Sequence, residues 1–469
     1  MTTVFATLRS SMSDPRPTSS APASGPRGLP LIGSTLSFAH DPVSLLESNA
    51  EYGDVVRYEA FGRDLVAFYD PGHVEQVLVS RSDEFWRGEF EHEFSDVIDI
   101  EGVLFAEGDE WKRQRLMLQS AFTPDMIRTY ADAMVDETVR AIDGWADGEV
   151  VDLEEELSAL TLAVLARSLF DLELDEDRGD RVRRWVHAMS EYTAREVFGA
   201  GALLPAWVPS RTAREFDRAT ADVRSLVEEL VAERRASGAD GNDLLTLLST
   251  GEYPDGTSPS SEEIGDQLMT FLLAGHETTA TALTYACWLL AGDDGTRERL
   301  ESELETVCGD RDPTFADLPD LAVTEAIGRE AMRLYPPLPF LHREPHEVTS
   351  VGGHRISPGT TVQLPMYAIH RDERWWDDSD EFRPGRWLEG DGSDATVVAD
   401  PDDRPEYAYF PFGGGPRHCI GMRFAMTELQ LTLATLARRV DLERVTESVE
   451  TDVGITLDPG LVEMRVRKR

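Results

Sequence analysis

Apolar residues recur every three or four positions through most of the chain between Asp109 and Ile327, the repeat of amphipathic helices. Trp111–Phe122, Glu154–Leu172, Arg181–Val197 and Ala213–Arg235 carry the repeat, and an apolar loop, Gly199–Pro209, interrupts them. Ahead of this region, Val55–Phe61 and Leu65–Phe68 read as strands around a turn at Gly62-Arg63-Asp64. Past Pro336 the pattern changes to short strands, Val348–Val351 and Thr361–Leu364. An irregular stretch rich in Trp, Pro and Asp follows, up to an acidic insertion, Asp391–Asp403. A last helix is predicted from near Cys419, with two short strands to close the chain. There is no internal repeat. The pattern predicts a mainly α architecture with a small β portion, an α+β class. Residues 1–25 are rich in Ser, Thr, Pro and Ala and hold no apolar run long enough for a signal-peptide core. They are expected to be a disordered tail, with 26–469 forming one domain.

Ser260–Leu290 poses a choice. Ser260 and Glu263 make a capping box, and the helix it opens should run about thirty residues, or roughly 45 Å. Leu268–Leu290 is apolar enough to span a bilayer. Yet His276 and Glu277 stand at its middle, Thr recurs at 270, 278, 279, 281 and 284, and no basic residue flanks it. A charge at the centre of a membrane helix is costly. The expected placement is therefore a buried helix through the centre of the protein, with no transmembrane anchor.

Composition narrows the function classes. Eighty-eight acidic residues against 45 basic ones give a formal charge of −43, while 41% of residues are hydrophobic. That apolar share excludes a wholly disordered chain, and the charge excludes nucleic-acid binding through a basic footprint. Lys112 and Lys468 are the only lysines. A surface this acidic repels itself in dilute buffer and is screened by concentrated salt. In this it resembles proteins of salt-loving archaea, and a halophilic, cytoplasmic setting is expected. An ordinary acidic protein from a GC-rich genome is the competing reading. Three scattered cysteines, Cys287, Cys308 and Cys419, build neither a disulfide framework nor a four-cysteine zinc site.

One of these cysteines has special surroundings. Phe412-Gly413-Gly414-Gly415-Pro416-Arg417-His418-Cys419-Ile420-Gly421 is a glycine-rich turn that delivers Cys419 to a helix start. Backbone N–H groups there favour a thiolate. Gly415 and Gly421 remove side chains where a flat object must come close, and Arg417 offers it a cation. These features suit haem with an axial cysteine and two propionates; a buried free cysteine in a loop is the bland alternative.

Here the chain resembles the cytochrome P450 family of haem-thiolate monooxygenases. Its haem-binding pattern FxxGxRxCxG is met by Phe412, Gly415, Arg417, Cys419 and Gly421. The resemblance implies the fold of that family, haem b between the long central helix and the cysteine-loop helix, and Cys419 as the iron ligand. Glu330-Ala331-Met332-Arg333 matches the family's ExxR motif, and Phe382-Arg383-Pro384-Gly385-Arg386-Trp387 supplies Arg386 to meet it. This trio is expected to hold the fold around the haem. Trp111 and Arg115 match WxxxR; with Arg343 and Arg417 they are expected to anchor the propionates. Ala274-Gly275-His276-Glu277-Thr278-Thr279 matches the oxygen-activation motif. Gly275 would let the haem lie against the helix, Thr278 would present its hydroxyl, and Glu277 would pass protons inward. Thr279 is the alternative hydroxyl.

The function this implies is insertion of one atom of O2 into an apolar organic substrate. Its rivals are a peroxide-using or isomerising haem-thiolate enzyme and a haem sensor without turnover. Family members of the former kind tend to lose the acid–Thr pair that this chain keeps, and a sensor has no use for it. With no fused reductase in the sequence, electrons are expected from a ferredoxin or flavodoxin-like donor with its reductase. It would dock on a basic patch formed by Arg113, Arg417 and Arg423. The substrate pocket would draw on Phe90, Phe94, Leu104, Phe105, Phe271 and Phe340, residues that serve equally as core.

Overall fold

The hairpin forms where the alternation predicts it, with a tighter turn. Val55–Ala60 and Arg63–Phe68 pair antiparallel, joined by Phe61 and Gly62, both at positive φ (53° and 71°). A two-residue turn of this hand matches the twist of the strands it joins. Arg63 and Asp64 therefore belong to the second strand and not to the turn. The structure is a computed structural model. It describes residues 24–469 except 31, 99, 174, 198–209, 238–242, 391–395, 399–403 and 455. Most of the N-terminal tail, the whole Gly199–Pro209 loop and most of the acidic insertion lie outside the described residues.

The hairpin opens a five-stranded sheet. Its order is Val55–Ala60, Arg63–Phe68, Thr360–Leu364, Leu341–Pro345, Phe85–Trp86, and only the second and third of these run parallel. A smaller sheet joins Val440–Arg444, Glu463–Lys468 and Val150–Asp152. A short hairpin, Asp452–Val453 with Leu457–Asp458, lies between its last two strands in the sequence. Helices dominate elsewhere. Those read from the pattern appear as Gly108–Leu118, Leu153–Phe170, Glu176–Tyr192 and Arg211–Ser237, and the same helical stretch holds Pro124–Gly144 and Asp294–Cys308.

The central helix, Ser261–Ala291, carries both halves of its capping box. Its apolar run is explained by burial: from Leu268 to Leu290 nearly every side chain is inside, packed against Leu153–Phe170, Arg211–Ser237, Ala322–Leu334 and the C-terminal helix Met422–Arg439. Among the described residues no helix is long and apolar enough to cross a membrane. Two glycines set the closest approaches. A Cβ on Gly275 would lie 2.3 Å from Leu165 Cδ1, and one on Gly328 would lie 2.2 Å from Leu429 Cδ2. Gly275 is thus required by helix–helix packing, and it also borders the cavity described below.

Candidate functional site

The cysteine loop is held by its own backbone. Gly413 and Gly415 take positive φ (70° and 63°), a short turn covers Gly415–Arg417, and the Cys419 N–H donates to Phe412 O at 2.9 Å. A Cβ on Gly415 would fall 1.8 Å from Leu78 O, so that glycine seats the loop on the Gln76–Ser80 segment and does not line the cavity. At Gly421 an added Cβ meets nothing closer than 3.9 Å, in keeping with a surface left clear for a ligand. The C-terminal helix starts at Met422, just past the cysteine.

Cys419 opens into a cavity that the central helix also borders. Ala274, Gly275, Thr278 and Thr279 line it, together with Phe412, Cys419, Ile420 and Gly421. Its remaining wall is largely apolar, including Leu104, Phe122, Leu165, Leu169, Phe271, Leu338 and Leu341. Of the six apolar residues expected to shape the pocket, only Leu104 and Phe271 do so. Phe90 and Phe340 pack on His342, and Phe94 pairs with Phe105, because apolar side chains near a cavity are as readily used for core. Burial pushes the Cys419 thiol above its usual range, against the pull of the Gly421 N–H and Arg115. The helix start does favour thiolate as expected, but in the bare protein the loss of water outweighs it.

The cations gather at one edge. Trp111, Arg115, Arg343 and Arg417 all line the cavity, and so does Arg87, which no motif singles out. The Arg417 guanidinium lies 4.6 Å from the centre of the Trp111 ring and donates to Ala106 O (2.9 Å) and Glu107 Oε2 (2.5 Å). Arg115 donates to His418 O at 2.9 Å. Arg343 donates to its neighbour His342 O at 2.6 Å, and burial, with Arg87 adding repulsion, pushes it down to about 9. Buried nitrogens Arg87 Nε and Arg417 Nη1 have no partner among the described residues. Guanidinium nitrogens left without a partner beside an apolar cavity and a cysteine fit haem, whose propionates would take those donors.

Glu277 points elsewhere. It does not line the cavity; its Oε1 accepts from Thr456 Oγ1 (3.0 Å) and Ser190 Oγ (3.2 Å), and its Oε2 is buried without a partner among the described residues. Burial pushes its carboxyl up to about 7, partly offset by those hydroxyls, with Asp458 adding to the rise. The adjacent Thr278 hydroxyl donates to Ala274 O at 2.8 Å, and that of Thr279 to Gly275 O at 3.3 Å. His276 is fully buried and held neutral, its pKa pushed down to about 4 by burial. Of the arginines expected to form a docking patch, Arg417 is turned inward and Arg113 is engaged by Glu110, Glu263 and the Tyr253 ring. Arg423 remains exposed, as does His418 in the cysteine loop.

The ExxR pair is wholly interior, and Arg386 is half-buried beside it. Glu330 and Arg333 are buried and paired at 2.9 Å, and Arg386 donates to Glu330 Oε1 at 2.9 Å.

Comparison with known proteins agrees with this geometry. The family model described as Cytochrome P450 matches residues 23–463. Cyclooctatin synthase of Streptomyces melanosporofaciens is 34% identical, covering 88% of each chain. Pentalenene oxygenase of Streptomyces avermitilis is 29% identical, over 91% of this chain and 92% of that one. A crystal structure of the cytochrome P450DA heme domain superposes with a TM-score of 0.81 at 25% identity, covering 96% of this chain and 98% of that one.

Proposed function

Because this chain belongs to the cytochrome P450 family and is a haem-dependent monooxygenase, we propose that it oxidises a terpenoid at the cavity between Cys419 and Thr278. The observation that carries this is a single apolar cavity bordered by the cysteine loop, the Thr278 turn of the central helix and the arginine edge. Relatives named for terpenoid oxidation, cyclooctat-9-en-7-ol 5-monooxygenase and pentalenene oxygenase, support the substrate class.

Bound haem supplies reductive activation of O2, with one oxygen atom going to the substrate and one to water. Cys419 would ligate its iron, and a metal-coordinated thiol is deprotonated outright, which offsets the burial that disfavours the free thiolate. Trp111, Arg115, Arg343 and Arg417 would hold its carboxylates; Phe412, Gly421 and Ala274 would border the ring. Leu104, Phe122, Phe271 and Leu338 would keep water out and receive an apolar substrate. Glu277, poised near neutrality, can hold and release a proton at Oε2, the oxygen with no partner among the described residues. Thr278 exchanges its bond to Ala274 O for one into the cavity, so its hydroxyl can deliver that proton. In Thr278→Ala, haem is retained while reducing equivalents are diverted to peroxide. Coupling equal to the parent's would refute the delivery role.

Electrons come from a separate donor, which we take to be ferredoxin or flavodoxin-like, meeting the face where Arg423 and His418 are exposed. The charge of −43 supports work in concentrated salt. One reconstitution tests these readings together: both donor types, a panel of terpene hydrocarbons and fatty acids, in molar potassium chloride and in dilute buffer. Oxygenated terpene products formed in salt are expected. Products from fatty acids alone would overturn the substrate class, reduction by neither donor type would overturn that assignment, and equal turnover and stability in dilute buffer would overturn the salt reading.

A further inference from the structure

We propose that Gln267 and Thr270 read a hydroxyl group that the substrate already carries, so that the enzyme takes an oxygenated terpenoid in preference to the hydrocarbon. This rests on the terpenoid reading above. It begins with the few polar groups of the cavity. Apart from the arginine edge and the cysteine loop, the polar side chains that line it are Thr270, Thr278 and Thr279, all from the central helix. Thr278 and Thr279 belong to the turn already described. Thr270 stands eight residues before Thr278, roughly 12 Å along the helix axis, and has no part in the proton delivery assigned there.

The turn around Thr270 holds an unsatisfied donor. Gln267 is three residues before Thr270 and four before Phe271, so all three share one face of the helix. Gln267 is only 1% exposed, and its Oε1 accepts from the Val103 N–H at 3.0 Å. A backbone N–H can only donate, so the amide oxygen must face it and the NH2 group is turned away. That nitrogen is buried with no partner among the described residues, a rare condition for an amide donor. Gly102 lets the loop come this close, since a Cβ there would fall 1.9 Å from Thr270 Oγ1. Val103 and Leu104, the next residues of that loop, line the cavity, so Gln267 is bonded directly to its wall.

A hydroxyl is the group that fits both residues. Thr270 Oγ1 donates to Asp266 O at 2.7 Å, which commits its only proton and leaves it able to accept. Gln267 Nε2 has protons to give and no acceptor. A substrate hydroxyl donates to the first and accepts from the second, whereas a carbonyl satisfies Gln267 alone and a hydrocarbon satisfies neither. The oxygen held there is remote from the carbon oxidised beside Thr278. The enzyme therefore acts after the reaction that installs the first oxygen, and adds a second at a distance from it.

Spectral titration tests this. Holoenzyme in molar salt is titrated with farnesol and geranylgeraniol, each beside the hydrocarbon that has hydrogen in place of the hydroxyl, and Kd is read from the Soret shift. The quantity compared is the ratio of alcohol to hydrocarbon affinity within a pair, which cancels differences in skeleton. Relative to the parent, Gln267→Met should move that ratio about tenfold toward the hydrocarbon by weakening the alcohol, the scale of a buried donor losing its partner. Thr270→Val, which keeps the shape of the side chain without its oxygen, should move it the same way. A merely structural role, such as holding Val103 in place, would weaken alcohol and hydrocarbon together and leave the ratio where it was. An unchanged ratio in Gln267→Met therefore overturns the proposal. Should that variant fail to fold, Thr270→Val decides by the same comparison. A parent that binds none of the four compounds would instead overturn the terpenoid reading on which this rests.

Discussion

Replacing Cys419 with serine should abolish the red-shifted Soret band of the carbon monoxide adduct. It should also lower oxygen-dependent turnover on the order of a thousandfold or more, about 4 kcal/mol in the barrier, while the protein still folds. The loss follows from the one atom changed. A thiolate pushes electron density toward oxygen and favours O–O cleavage, and an alkoxide or alcohol in that place cannot do so to the same degree.

The fold should survive because the loop does not depend on sulfur. The Cys419 N–H bond to Phe412 O is a backbone bond, Gly415 is seated on Leu78 O, and Arg115 grips the loop through His418 O. Serine is nearly isosteric and can accept from the Gly421 N–H in the same way. Difference spectroscopy of the reduced variant under carbon monoxide, beside its thermal unfolding, checks both halves. A retained red-shifted band, or turnover near that of the parent, would remove Cys419 from the iron.

How much of this was legible in the chain depends on the distance over which each residue acts. Cys419, its glycine turn and the helix that follows are local in sequence, and all were readable. The central helix was equally open to reading, since Ser260 and Glu263 announce its start and an interior Glu277 argues against lipid. Glycine roles were only partly legible, because a glycine reveals that space is scarce but not everything that fills it. Gly275 yields to Leu165 and Gly415 to Leu78, neighbours brought in by tertiary packing. The direction of Glu277 was hidden too, since Thr456 reaches it from the C-terminal hairpin, 179 residues away in sequence. Arg87 has no motif at all. It comes to line the cavity through the strand pairing that brings Phe85–Trp86 beside Glu344–Pro345, a register that no local pattern specifies.

Glu330→Gln is expected to cost about 3–5 kcal/mol, the usual penalty for breaking a buried ion pair by removing one partner. Against a total of roughly 5–15 kcal/mol, that should leave the variant largely insoluble or unable to keep haem. The carboxylate collects five donors. Arg333 Nη2 (2.9 Å), Arg386 Nε (2.9 Å) and the Arg383 N–H (3.0 Å) reach Oε1, while Arg333 Nε and Trp387 Nε1 (both 2.9 Å) reach Oε2. Arg333 in turn donates to the carbonyls of His370, Ser379 and Glu381, which ties down an irregular stretch with few ladder bonds of its own. His370 passes the constraint on, accepting from the Phe410 N–H at 2.9 Å two residues before Phe412 opens the cysteine loop. An amide in place of the carboxylate leaves two buried guanidinium groups without their anion and turns a donor toward them. The pH dependence has a definite sign. Burial alone would raise the Glu330 carboxyl, but Arg333 and then Arg386 outweigh it and hold it below its ordinary 4.5. The native state therefore releases this proton more readily than the unfolded chain. Its contribution is complete above about pH 4.5 and is lost as pH falls through the lower native value. Urea midpoints at neutral and acid pH should differ for the parent and much less for Glu330→Gln. A variant with the parent's midpoint and haem content would show that this buried pair does not hold the haem-side loop in place.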